Sequence, residues 1–154
     1  MTAYCDSNLL VRVYAELPES ERALAQLQQL RLGGAKPVPI TWLHQIELAN
    51  AFEQLVFLAR SGQGVRMSTQ QAAVALASFN EDLSAGNGFV ADRLGALELV
   101  REARQLSLRH TARLGFRSYD VIHVASALLL ECDAFWSFDA KANKLAALEG
   151  LRTL

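Results

Sequence analysis

Apolar residues along this chain fall into short continuous runs separated by longer stretches of helical spacing. Ala3-Tyr4-Cys5 reads as a short strand that runs into the polar trio Asp6-Ser7-Asn8. A helical pattern follows through Leu9, Leu10, Val11, Val13 and Tyr14. Pro18 and Glu19 interrupt it, and Leu24, Leu27, Leu30 and Leu32 resume it as far as Gly33-Gly34. Val38-Pro39-Ile40 predicts a second short strand, with Pro39 tolerated near a strand end or edge. Thr41 can cap a helix that begins at Trp42, carries Ile46, Leu48, Phe52 and Leu55, and is broken by Gly62 and Gly64. Ser68 and Gln71 have the spacing of a capping box, in which each side chain satisfies an amide that the helix start leaves free.

The second half repeats the alternation. Phe89-Val90 predicts a very short strand, followed by a helix with Leu94, Leu97, Val100 and Leu106 that ends near Gly115. Ser118 can cap a helix from Tyr119 to about Leu130, and Ala134 to Phe138 is a compact apolar strand. Asp139 opens a last short helix closed by Gly150, and Leu151 to Leu154 reads as a terminal strand. Short apolar strands alternating with helices predict an α/β sandwich around a mostly parallel sheet.

Composition narrows the class. A chain of 154 residues, 51% hydrophobic with net charge −1, is expected to form one domain over 1–154, and disorder is not expected. Near-neutral charge also argues against non-specific coating of nucleic acid. The longest strongly apolar stretch, Val121 to Leu130, falls short of the roughly 18 residues that a membrane span needs. Cys5 and Cys132 lie far apart and read as small buried hydrophobes of a reduced, cytoplasmic protein. The first residues contain no basic segment leading into an apolar one, so no signal peptide is expected.

The positions of four acids change the picture most. Asp6 ends the first strand, Glu47 lies early in an apolar helix, Asp120 lies in the first turn of the most apolar helix, and Asp139 follows the Phe135-Trp136-Ser137-Phe138 run. Each alone has an ordinary explanation as a cap, a turn residue or an exposed helix position. In open parallel sheets, however, ligand sites form beyond the carboxyl ends of strands, where Asp6 and Asp139 fall. Carboxylates that converge there repel one another, and a hard divalent ion such as Mg²⁺ or Mn²⁺ relieves that conflict.

The matching pieces are Tyr4-Cys5-Asp6-Ser7-Asn8-Leu9-Leu10, Ile46-Glu47-Leu48-Ala49, Tyr119-Asp120-Val121-Ile122-His123-Val124-Ala125-Ser126-Ala127-Leu128 and Phe135-Trp136-Ser137-Phe138-Asp139. In order and spacing, over essentially the whole chain, they resemble the PIN-domain ribonucleases, and among these the VapC-type toxins of bacterial toxin–antitoxin pairs. The resemblance implies a PIN-like three-layer sandwich with a central, mostly parallel five-stranded sheet flanked by helices. It implies a metal-dependent endoribonuclease that hydrolyses RNA phosphodiester bonds. Asp6, Glu47, Asp120 and Asp139 would be the catalytic and metal-binding set for Mg²⁺ (or Mn²⁺), with Ser137 supporting a carboxylate or water. The implied partners are the RNA substrate, a cognate antitoxin protein and a second copy of the chain in a homodimer, with no membrane. Ser7-Asn8 departs slightly from the family's usual residues after the first acid.

Other candidates are weaker. Arg109, Arg113 and Arg117 recur at a spacing of four and would form a stripe for RNA phosphates if one helix carried all three; the alternative is a solvated face. His44, His110 and His123 share no motif, and His123, three residues after Asp120, reads more readily as a packed histidine than as a base. Trp42 and Trp136 are expected in the core. Two rival readings remain: a non-catalytic PIN fold that binds RNA or protein, and a Mg²⁺-dependent phosphoacceptor domain. The second wants paired acids after the first strand, where Asp6 stands alone.

Overall fold

Four strands of three residues each alternate with seven helices among the described residues, 1–64 and 67–154 of the computed structural model. In chain order these are β1 (Ala3–Cys5), α1 (Ser7–Tyr14), α2 (Ser20–Leu32), β2 (Val38–Ile40), α3 (Trp42–Arg60) and α4 (Thr69–Ala85). β3 (Phe89–Ala91), α5 (Ala96–Leu114), α6 (Ser118–Leu129), β4 (Ala134–Trp136) and α7 (Ala140–Leu148) complete them. β1 pairs in parallel with β4, Tyr4 opposite Phe135, and β2 pairs in parallel with β3, Pro39 opposite Val90.

The five-stranded central sheet expected from the sequence is not formed. The strands make two separate two-stranded ladders within a predominantly helical chain. Residues 151–154 add no fifth strand: Arg152 alone bridges to Ala134, its carbonyl accepting the Phe135 N–H at 2.8 Å.

Backbone chemistry explains the break between β1 and β2. Successive residues of a strand direct their backbone groups to alternate sides. Val38 N–H donates to Gly88 and the Ile40 carbonyl accepts from Asp92, so both residues face β3. Pro39, between them, faces the other way and has no N–H to give. The next donor on that side, Thr41 N–H, goes to Nδ1 of His44 at 3.0 Å. His44 Nε2 in turn donates to the Cys5 carbonyl at 2.9 Å. A fully buried imidazole therefore connects the ends of β2 and β1 where a ladder bond would otherwise run.

The pleat sends alternate side chains of β1 to opposite faces. Ala3 and Cys5 join Leu9, Leu10, Ile40, Phe52, Phe79 and Phe89 in a core built from α1 to α4. Tyr4 joins Leu106, Phe116, Val124, Phe135 and Leu145 in a second core built from α5 to α7. The helix starts follow the sequence signals closely. Asp6, Thr41, Ser68 and Asp139 cap α1, α3, α4 and α7, and the Ser68–Gln71 box forms as expected. α6 begins one residue earlier than its predicted start, with Arg117 rather than Ser118 at the cap.

Two expectations about the core need correction. Trp42 is 45% exposed at the start of α3, and Trp136 is only partly buried. On α2, Leu27 and Leu30 are buried while Leu24 and Leu32 face solvent, because Ala23 and Gln26 share the inward stripe. Among the described residues, no helix is long and apolar enough to cross a membrane.

Replacing His44 strands the Thr41 N–H and the Cys5 carbonyl in the interior. His44→Ala is expected to lower unfolding free energy by about 3 kcal/mol in urea titrations, and a loss below about 1 kcal/mol would contradict the bridging role. Burial, followed by the nearby His123, depresses the His44 pKa from its ordinary value to about 3. Between about pH 6.5 and 3 the unfolded chain then binds a proton at His44 that the folded chain does not. The wild-type protein is expected to lose stability relative to His44→Gln as pH falls through that window. The His44 contribution is about 1.4 kcal/mol per pH unit, read from urea midpoints at pH 7 and pH 5.

Candidate active site

Asp6 leaves β1 directly into α1, and one of its oxygens is consumed as a helix cap. Oδ1 accepts the Leu9 N–H at 3.0 Å, and Oδ2 accepts the Ser137 hydroxyl at 2.6 Å. The carboxyl is buried, and that burial raises its pKa despite the opposing pull of His123, Ser137 and the Leu9 N–H.

Ser137, just past β4, ties this acid to the next. Its hydroxyl donates to Asp6 and accepts the Asp139 N–H at 2.8 Å, so both capacities are spent on the two strand-end acids. Asp139 caps α7, its Oδ1 accepting from Lys141 N–H at 2.8 Å and Ala142 N–H at 3.3 Å. Burial pushes this carboxyl up, but those two N–H groups and Arg117 outweigh it and hold the pKa below the ordinary value.

Arg117 joins Asp139 to Asp120. Asp120 Oδ2 accepts the Arg117 backbone N–H at 3.1 Å and Nε at 3.2 Å, while Oδ1 faces Nη2 at 3.2 Å. The same Nη2 pairs with Oδ2 of Asp139. One guanidinium is thus shared by two acids from different elements, its single charge offsetting only part of theirs.

Glu47 is held from the opposite direction. Its Oε2 accepts the Ser7 hydroxyl at 2.6 Å and Nε2 of His123 at 2.5 Å. Tyr4 O–H lies 2.8 Å from His123 Nδ1, so with Tyr4 donating there, Nε2 carries the proton that Glu47 accepts. Burial pushes the Glu47 carboxyl up, yet the hydrogen bonds and charge of its partners prevail and its pKa lies below the ordinary value.

All four expected acids and Ser137 therefore belong to one connected set, linked through Ser137, Arg117 and the adjacent pair Asp6-Ser7. They lie at the C-terminal ends of β1 and β4 and at the starts of α1, α3, α6 and α7. The arginine stripe does not form. α5 ends at Leu114, Gly115 turns the chain at φ 68°, and Arg117 points into the acids. Arg109 is paired with Glu149 at 3.0 Å and Glu102 at 3.6 Å, leaving exposed Arg113 as the remaining member.

Sequence reasoning missed Arg117 as a partner of the acids, although it stands three residues before Asp120, a spacing at which helical side chains meet. His123 is packed, as expected, and also orients Glu47. No pattern identified the buried run Tyr4–His123–Glu47–Ser7, because its members are remote in sequence.

The donor set suits a hard divalent ion by its chemistry, being made of carboxylate oxygens. Among the described residues, no three His, Cys, Asp or Glu side chains form a group able to hold an ion. Mg²⁺ seldom needs such a cage, since it is commonly held by one or two carboxylates with water and substrate phosphate. Among the described residues, Asn143 Oδ1 is buried without a hydrogen-bond partner while its Nδ2 donates to the Ser137 carbonyl at 2.7 Å, which leaves an unsatisfied acceptor oxygen on a residue bonded to the site. No protein-family model matches this chain, and no curated protein matches it significantly.

Ser137→Ala leaves the Asp6 oxygen and the Asp139 N–H without their shared partner. It is expected to cost about 1–3 kcal/mol in chemical denaturation, with the Asp6 carboxyl pKa rising further by carboxyl-carbon NMR titration. An unchanged Asp6 titration would show that the hydroxyl does not support that acid.

Proposed function

We propose that the chain is a PIN-type, Mg²⁺- or Mn²⁺-dependent endoribonuclease, acting in the cytoplasm as the toxin of a toxin–antitoxin pair. The observation that carries this reading is the hydrogen-bonded network joining Asp6, Ser137, Asp139 and Asp120 through Arg117, with Glu47 held beside it by Ser7, the residue after Asp6. It is supported by the order in which those residues occur within their apolar segments, which resembles the PIN-domain toxins. A cognate antitoxin covering the acids and a homodimer belong to the same proposal.

Asp6, Asp120 and Asp139 are the residues that would hold the ion, directly or through water. A bound divalent ion supplies a nucleophilic water near neutral pH and offsets charge on the phosphoryl group. Glu47 stays ionised at neutral pH, because Ser7 and His123 stabilise its charged form. From there it can accept a proton from an attacking water and fix its orientation for in-line displacement. Ser137 keeps Asp6 aimed by holding Oδ2. Exposed Arg113 is the stripe member with its charge available to RNA phosphate.

One observation favours the rival reading of a non-catalytic binding module: Arg117 already pairs with both Asp120 and Asp139. Incubating purified protein with a mixed RNA pool and Mg²⁺, Mn²⁺ or EDTA separates the two. Discrete metal-dependent cuts are expected, reduced on the order of 100-fold or more in a folded Asp6→Ala variant. RNA retention without cutting in either metal would favour the binding module.

A further inference from the structure

We infer that Arg117 is a displaceable internal cation, competing with a divalent ion for the paired carboxylates of Asp120 and Asp139. The inference rests on the metal-dependent reading above and adds a role for a residue outside the acid set.

The division of labour among the carboxylate oxygens carries the argument. Asp139 Oδ1 is fixed by the N–H groups of Lys141 and Ala142, and Asp120 Oδ2 by the N–H of Arg117. These backbone bonds hold both acids in place whatever the guanidinium does. The remaining oxygens, Asp120 Oδ1 and Asp139 Oδ2, meet the same nitrogen, Nη2 of Arg117, and among the described residues no other hydrogen-bond donor. Two carboxylate oxygens converging on one point need positive charge there. Arg117 supplies it now.

The Arg117 side chain is poised to leave. It is 65% exposed, so its release into water requires little rearrangement, while the carboxylates it leaves, 8% and 25% exposed, need an entering ion to replace its charge. Among the described residues, nearby Lys141 is committed to the Gly115 carbonyl at 3.0 Å and makes no ion pair with either acid. An ion entering between Asp120 and Asp139 would therefore exchange places with the guanidinium and leave the helix caps intact.

Isothermal titration of the full-length chain with Mn²⁺ tests this, with thermal melts confirming that each variant is folded. Arg117→Gln is expected to bind Mn²⁺ roughly tenfold more tightly than wild type, because a competitor that occupies the site most of the time weakens apparent affinity in proportion. Mn²⁺ should also raise the melting temperature of Arg117→Gln more than that of wild type. Arg117→Lys, which keeps a competing charge, should stay near wild type, and Asp139→Asn should lose binding. Equal affinity in wild type and Arg117→Gln, with binding lost in Asp139→Asn, would overturn the competition and leave the metal site standing. Absence of Mn²⁺ binding in both wild type and Arg117→Gln would overturn the metal reading, and the competition with it.

Discussion

A carboxylate carried into the interior at the end of a strand is the constraint on which this structure depends. Asp6 sits where β1 becomes α1, and desolvation there disfavours its charge. Leu9 N–H and the Ser137 hydroxyl offset part of that cost, and Ser137 can serve only because β4 ends beside β1. The same hydroxyl accepts the Asp139 N–H, so stabilising one acid positions the next. Asp139 then shares Arg117 with Asp120. Four elements converge on one polar cluster because Asp6 and Asp139 each take part of their hydrogen bonding from another segment.

The second organising contact is an imidazole acting as backbone. Pro39 removes the one donor that β2 could have offered β1, and His44 carries the connection from Thr41 N–H to the Cys5 carbonyl. It also lies against the site: its ring centroid is 4.9 Å from that of Tyr4 and 5.3 Å from that of His123. Tyr4 and His123 lead in turn to Glu47. The seam between the two strand pairs and the scaffold of Glu47 are therefore one buried polar assembly, in which each group relies on its neighbours being paired.

Much of this was legible from local pattern. Caps at Thr41, Ser68 and Asp139 followed from residue type before an apolar helical stretch, and the short strands at residues 3–5 and 38–40 followed from apolar runs, as did the one at 134–136, two residues shorter than its run. The five-stranded sheet was an inference from alternation, and it failed at Pro39, whose missing N–H matters only once the side it faces is known. The terminal strand failed because residues 151–154 make a single bridge to β4. The acids were legible as helix-start and strand-end residues, and Ser137 as the support of a carboxylate, yet the connection through Arg117 was not. Arg117 was a candidate for a helical stripe, with a solvated face as the alternative, and Gly115 interrupts that stripe. His123 illustrates the same limit, since a histidine on an apolar helix does not by itself disclose that Glu47, on another helix, faces it.

The central claim is that these acids form one site for a divalent ion. Anomalous diffraction from crystals grown with Mn²⁺ tests it most directly. The account predicts a manganese peak against Asp120 and Asp139, on the side toward Asp6, with the Arg117 guanidinium withdrawn from both carboxylates. Ordered density for all four acids at millimolar Mn²⁺, with no peak and Arg117 still spanning Asp120 and Asp139, would contradict it.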